Sequence, residues 1–184
     1  MKIYSEEETL RQIQSGEPEL QRKAFEQVVS FYSEKLYYQI RKLVLSHDDA
    51  NDLLQNTFMK AWMNINLFRG EARISTWLYK IALNESITFL NKQNAQNNIV
   101  INEQNAYLLD RLESDSYFDG DALQKRLQQA IISLPEKQRI VFNLRYYDEM
   151  PYEEMSQVLN TSVGALKASY HHAAKKVEDF LNKD

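Results

Sequence analysis

Trp77, Lys80 and Asn84 are spaced by three and four residues, and Thr88 and Asn91 continue the series. At 100° per residue these five side chains share one face of a helix, while Leu78, Ala82 and Phe89 fall on the other. An indole, an ammonium and amides in one exposed stripe suit single-stranded nucleic acid. The ring stacks on a base, the cation meets phosphate, and the amides read base edges. A basic turn, Phe68-Arg69-Gly70 followed by Arg73, precedes the stripe. Ser75 offers a hydroxyl that caps the helix start. Taken alone, this stretch reads more simply as an amphipathic helix whose Trp packs. The rest of the chain reverses that preference.

A second constellation lies near the C-terminus. Pro151 opens a short helix over 152–159, a tight turn follows at 160–162, and a longer helix runs to about 181. Two helices joined in this way form a helix-turn-helix pattern. Val163, Leu166, Tyr170, Ala173, Ala174 and Val177 make the packing face of the second helix. Gly164, Ala165, Ala168, His171, His172 and Lys175 face away, with Lys167 at the edge. Small outward residues permit close approach to a DNA groove, and Lys and His further along meet phosphates or bases. A plain structural hairpin explains these features less well.

Catalytic and metal chemistry find no comparable pattern. His171 and His172 diverge by 100° on a helix and cannot chelate one metal together. His47 is isolated. With no Cys there are no disulfides or thiolate sites, which suits a reducing cytosol. Gly occurs only at 16, 70, 120 and 164, too far apart for a P-loop or a dinucleotide fingerprint. No cofactor is implied.

The elements that must position the two constellations are helical. Four Gly and three Pro in 184 residues leave long stretches uninterrupted. Ser5 with Glu8, and Ser46 with Asp49, have capping-box spacing. They open helices over about 6–14 and 46–64. Between them Phe25, Val29, Tyr32, Leu36, Ile40 and Leu43 mark a long amphipathic helix over 20–45. In the 46–64 helix, Ala50, Leu54, Phe58 and Ala61 form the inner stripe. Asp49, Asp52, Asn56 and Lys60 form the outer one, edged by Gln55, Met59 and Met63. Residues 93–120 break the pattern, with a helical piece at Ala106–Leu112. Leu123, Leu127, Ile131 and Leu134 then begin a second helical unit. Pro135 suits the first turn of its next helix.

The expected architecture is therefore all-α: two small helical domains, 1–92 and 121–184, joined by a flexible acidic linker, 93–120. The net charge of −4 sits in that linker, which holds one basic and five acidic residues, while both flanking parts are balanced. No apolar run is long enough to cross a membrane, and the N-terminus does not resemble a secretory signal.

In order, DDANDLLQNTFMKAW (48–62), FRGEARISTWLYKIALN (68–84) and LPEKQRIVFNLRYYDEMPYEEMSQVLNTSVGALKASYHHAAKK (134–176) resemble a bacterial RNA polymerase sigma factor of the extracytoplasmic-function (ECF) group. The resemblance implies a cytoplasmic, non-enzymatic transcription initiation factor. Its partners would be core RNA polymerase, promoter DNA and an anti-sigma factor. Asp49, Asp52, Gln55 and Asn56 would meet core polymerase, Asn56 standing where the family often has an acidic residue. Phe68, Arg69, Gly70, Trp77, Lys80 and Asn84 would capture the melting −10 element. A single wedge, Trp77-Leu78 rather than two Trp, implies dependence on near-consensus promoters. Ser162, Lys167, Ala168, His171 and His172 would read the −35 element. The acidic linker would mimic RNA in a positively lined polymerase channel. The alternative reading is a stand-alone helix-turn-helix repressor or activator, which leaves the stripe on 77–91 unexplained. A helical enzyme is a third reading, and it lacks a catalytic constellation.

Overall fold

The computed structural model describes residues 4–96, 104–114 and 121–183. Among them are nine α-helices, one short 3-10 turn and no strand. The first half holds α1 (Glu6–Gln14), α2 (Pro18–Val44), α3 (His47–Met63), the 3-10 turn Ile65–Leu67 and α4 (Ile74–Gln96). A short α5 (Gln104–Glu113) follows. The second half holds α6 (Ala122–Ile132), α7 (Glu136–Tyr146), α8 (Tyr152–Leu159) and α9 (Val163–Leu181).

The helix starts follow local chemistry. The Ser5, Ser46, Asp121 and Ser162 side chains accept backbone N–H groups of Glu8, Asp49, Gln124 and Ala165. Leu45 and Asn160 end α2 and α8 in the left-handed region, at φ 55° and 49°. Ser75 departs from expectation. Helix α4 begins one residue before it, so Ser75 lies inside the first turn, and its hydroxyl donates to Glu154 instead. Helix α4 also runs past residue 92, because its register continues without a breaker through Gln96.

Helices α2, α3 and α4 meet over Leu36, Ile40, Val44, Ala50, Ala61, Leu78 and Ala82, all buried. On α3 the buried line is Ala50, Leu53, Thr57 and Ala61, rotated from the expected stripe. The small residues and Thr57, whose hydroxyl donates to the Leu53 carbonyl at 2.7 Å, admit a close helix approach. Leu54 and Phe58 therefore sit at the flank. In the second half Ala130, Ile131, Leu134, Phe142, Ala173 and Val177 form a smaller cluster. Leu123 does not join it and is 68% exposed.

The two halves are docked. Helix α8 packs on α4, and α7 meets α2. One apolar cluster runs from Leu36 and Leu78 through to Ile140, Leu144, Met155 and Leu166. Thr76 donates to the Glu154 carboxylate at 3.0 Å, and Lys42 pairs with Asp148 at 2.8 Å. The expected helical piece of the linker is α5. It buries Leu108 and Leu112, and Arg111 bonds the Val44 carbonyl and the Asp49 carboxylate. Linker residues Glu103, Asp115 and Asp119 lie outside the described residues.

Burial pushes the Asp148 carboxyl above the ordinary carboxylate range, while Lys42 pulls it back. Its second oxygen has no hydrogen-bond partner among the described residues. Removing Lys42 would leave that charge buried and uncompensated. A double-mutant cycle of Lys42→Ala and Asp148→Ala, read by urea unfolding, is expected to give a coupling of roughly 1–3 kcal/mol. A coupling near zero would mean the pair does not hold the junction.

Candidate nucleic-acid interface

The start of α4 and the loop before it enclose a cleft of about 640 Å³. Phe68, Arg69 and Ala72 line it from the loop, and Trp77, Lys80, Ile81 and Asn84 from the helix. Of the predicted stripe, Trp77, Lys80 and Asn84 share one wall of the cleft, one turn apart on α4, whereas Thr88 and Asn91 are exposed further along the helix and do not line it. Leu78 and Ala82 point the other way and are buried. The Phe68 ring lies 4.6 Å from that of Trp77 at 19° between planes. Phe68 is itself 9% exposed, so it backs the indole rather than offering a free face. Such a stack contributes about 0.5–1.5 kcal/mol and fixes the ring plane before any base arrives.

Charge in the cleft is mixed. Lys60 is paired with Glu85 across α3 and α4. Arg69 and Lys80 have no carboxylate partner among the described residues, which leaves them for phosphate. Gly70 takes φ +73°, a conformation that favours glycine. A base entering the cleft would meet a backed indole, two available cations and the Asn84 amide. That combination fits an unstacked strand better than a duplex.

The second candidate surface is α9. Ser162 caps it, with Ala165 N–H donating to the hydroxyl at 3.3 Å. Leu166, Ala173 and Val177 are buried against the helices below. Gly164, Ala165, Lys167, Ala168, His171, His172 and Lys175 are all exposed. Tyr152 lies between the Arg145 guanidinium, at 5.1 Å, and the Lys167 ammonium, at 5.7 Å. This holds Lys167 at the helix-turn-helix edge. Close-approach residues at the N-terminal end and cations behind them suit a groove.

Family comparisons divide the chain in the same way. The model for sigma-70 region 2 matches residues 28–96, and that for sigma-70 region 4 matches 124–177. SigW of Bacillus subtilis, an ECF RNA polymerase sigma factor, is 29% identical over 180 residues, covering 94% of each chain. The chain belongs to the ECF sigma factors. The ECF sigma-E factor of Escherichia coli strain K12 is 26% identical, over 92% of this chain and 91% of its own. Among solved structures, CnrH in complex with the cytosolic domain of CnrY shares the fold (TM-score 0.71, 22% identity, 97% of this chain and 98% of that one). So does RpoE of Bartonella quintana, solved with the anti-sigma factor NepR (TM-score 0.68, 23% identity, 88% and 99%).

In this sigma factor, α3 presents Asp52, Gln55 and Asn56 to solvent as expected. Asp49 differs from them, because its carboxylate is taken by Arg111 of α5. Beside them Met59 and Met63 are 61% and 76% exposed, an apolar strip next to acidic residues. Sequence reasoning missed Glu6, Gln14, Glu154 and Gln157, which reach the loop, the first turn of α4 or the cleft from elsewhere in the chain. Glu6 and Gln14 sit on α1 and Glu154 and Gln157 on α8, in ordinary polar positions, and no spacing rule links them to a site many residues away.

The cleft chemistry predicts that Trp77→Ala, in holoenzyme, weakens binding of a single-stranded −10 oligonucleotide by about 1–3 kcal/mol. Lys80→Ala should lower the slope of log affinity against log salt by about 0.7, one phosphate on a single strand. Fluorescence anisotropy with a labelled strand reads both. Unchanged affinity for Trp77→Ala would return the indole to a packing role.

Proposed function

We propose that this sigma factor, bound to core RNA polymerase, captures melted −10 DNA in the α4 cleft and reads the −35 duplex with α9. The observation that carries this is the pairing of two different nucleic-acid surfaces in one chain. One is a backed indole with available cations, and the other a small-residue recognition helix. A stand-alone repressor would need only α8 and α9. Residues 1–92 and 121–184 act as the two working domains, and the protein is a cytoplasmic specificity subunit rather than an enzyme. The exposed α3 residues Asp52, Gln55 and Asn56, with Met59 and Met63, supply the polymerase contact. Asp49 joins them once α5 releases it.

Both promoter surfaces cannot be used at once in the docked arrangement. The −35 and −10 elements lie about 25 base pairs apart, roughly 80 Å at 3.4 Å per pair. A compact chain of this length spans only about 40 Å. The halves therefore separate on holoenzyme, releasing the α4–α8 and α2–α7 contacts. Gln39 on α2, Asn143 on α7 and Asp148 support this, because each buries polar atoms that have no partner among the described residues. Unsatisfied groups lower the cost of opening. An anti-sigma factor that holds the halves together is the regulator this arrangement suits.

Run-off transcription with core polymerase on sheared genomic DNA tests the assignment. New discrete start sites are expected only when the protein is added. No initiation, with tight binding of free protein to duplex DNA, would favour the repressor reading instead.

A further inference from the structure

The loop that forms one wall of the cleft is held from behind by a helix outside both matched sigma regions. Helix α4 starts at Ile74, and the residue before it, Arg73, has no side-chain acceptor to cap the turn. The cap comes from α1. The Glu6 carboxylate accepts the Ile74 N–H at 2.7 Å. Next along α1, Gln14 donates to the Arg69 carbonyl at 2.9 Å. Gly70 turns its bare α-carbon against α1, where an added Cβ would come within 3.0 Å of Leu10 and of the Gln14 amide. From the start of α2, Gln21 donates to Asn66 at 3.0 Å and to the Ile13 carbonyl at 2.7 Å. The loop thus has two sides. Its backbone is bonded to α1 through Glu6 and Gln14, with Gln21 of α2 bracing the Asn66 side chain and α1 behind it, while Phe68 and Arg69 line the cleft.

The geometry points to α1 as the positioning element of the −10 cleft, with Glu6 and Gln14 as positioning residues for Trp77 and Arg69. The inference rests on the proposed role of the cleft. Trp77 lies in the first turn of α4, the turn that Glu6 caps with a negative charge at the positive helix end. Its amide bonds the Arg73 carbonyl at 3.1 Å. If the cap is lost, that turn frays and the indole leaves the plane set by Phe68. If the Gln14 bond is lost, Arg69 is no longer held at the rim.

The test uses full-length protein in holoenzyme on a promoter found by run-off transcription. Permanganate reactivity of −10 thymines reports melting, and a −35 footprint and core affinity are measured in parallel. Glu6→Ala is expected to lower melting about fivefold, the size of one lost cap, with the −35 footprint and core affinity unchanged. Glu6→Gln, which keeps an acceptor, should recover part of the loss. Ile13→Val, a core change on the same helix, should lower the melting temperature while leaving promoter melting intact. An equal promoter defect in Ile13→Val, or none in Glu6→Ala, would overturn the positioning role. A normal Trp77→Ala protein would overturn the cleft reading itself, and Trp77→Ala separates the two failures.

Discussion

Phe68 lies flat against Trp77, and the shape of the α4 cleft depends on that stack. An indole on an exposed helix face would otherwise turn between rotamers and pack wherever apolar surface is nearest. Phe68 occupies one face of the ring and leaves the cleft side to a base. For the stack to exist, the loop must turn back at Gly70 and α4 must begin at Ile74. Both conditions are met by contacts from α1, far away in sequence. The opposite side of α4 is fixed by burial of Leu78 and Ala82 against α2 and α3. The helix is thus core on one side and cleft wall on the other, and its rotation cannot drift without exposing apolar side chains.

Polar groups at the junction between the halves are only partly satisfied. Lys42 and Asp148 form a close pair, yet burial still leaves the carboxyl with a raised pKa and one oxygen unpartnered. Glu154 accepts two hydroxyls from α4, a contact that water can replace when the halves part. A junction made of apolar contact plus imperfectly satisfied polar groups is held by small differences of large terms. Such a junction is compatible with the separation of the halves proposed above.

Charge balance fits the same picture. Each half is near neutral by sequence, so neither has the strong basic field that drives non-specific attraction to duplex DNA. That balance is consistent with the proposed dependence on polymerase for placement on DNA.

Much of the fold was legible in the chain itself, because helix capping and apolar spacing are local. Ser5, Ser46 and the Asn160–Ser162 turn marked element ends correctly, and three of the five residues of the predicted stripe, Trp77, Lys80 and Asn84, form one wall of the cleft. The sequence by itself determined the all-helical class, the helix-turn-helix and the shared face of α4. Tertiary structure alone decided where α4 begins, since its cap is Glu6 rather than Ser75. It also decided that Phe68 backs Trp77, that Arg111 takes Asp49, and that α8 covers α4. The physical reason is common to all four. Periodicity fixes which side of a helix a residue occupies, whereas a carboxylate or ring many residues away becomes a partner only once the helices have packed.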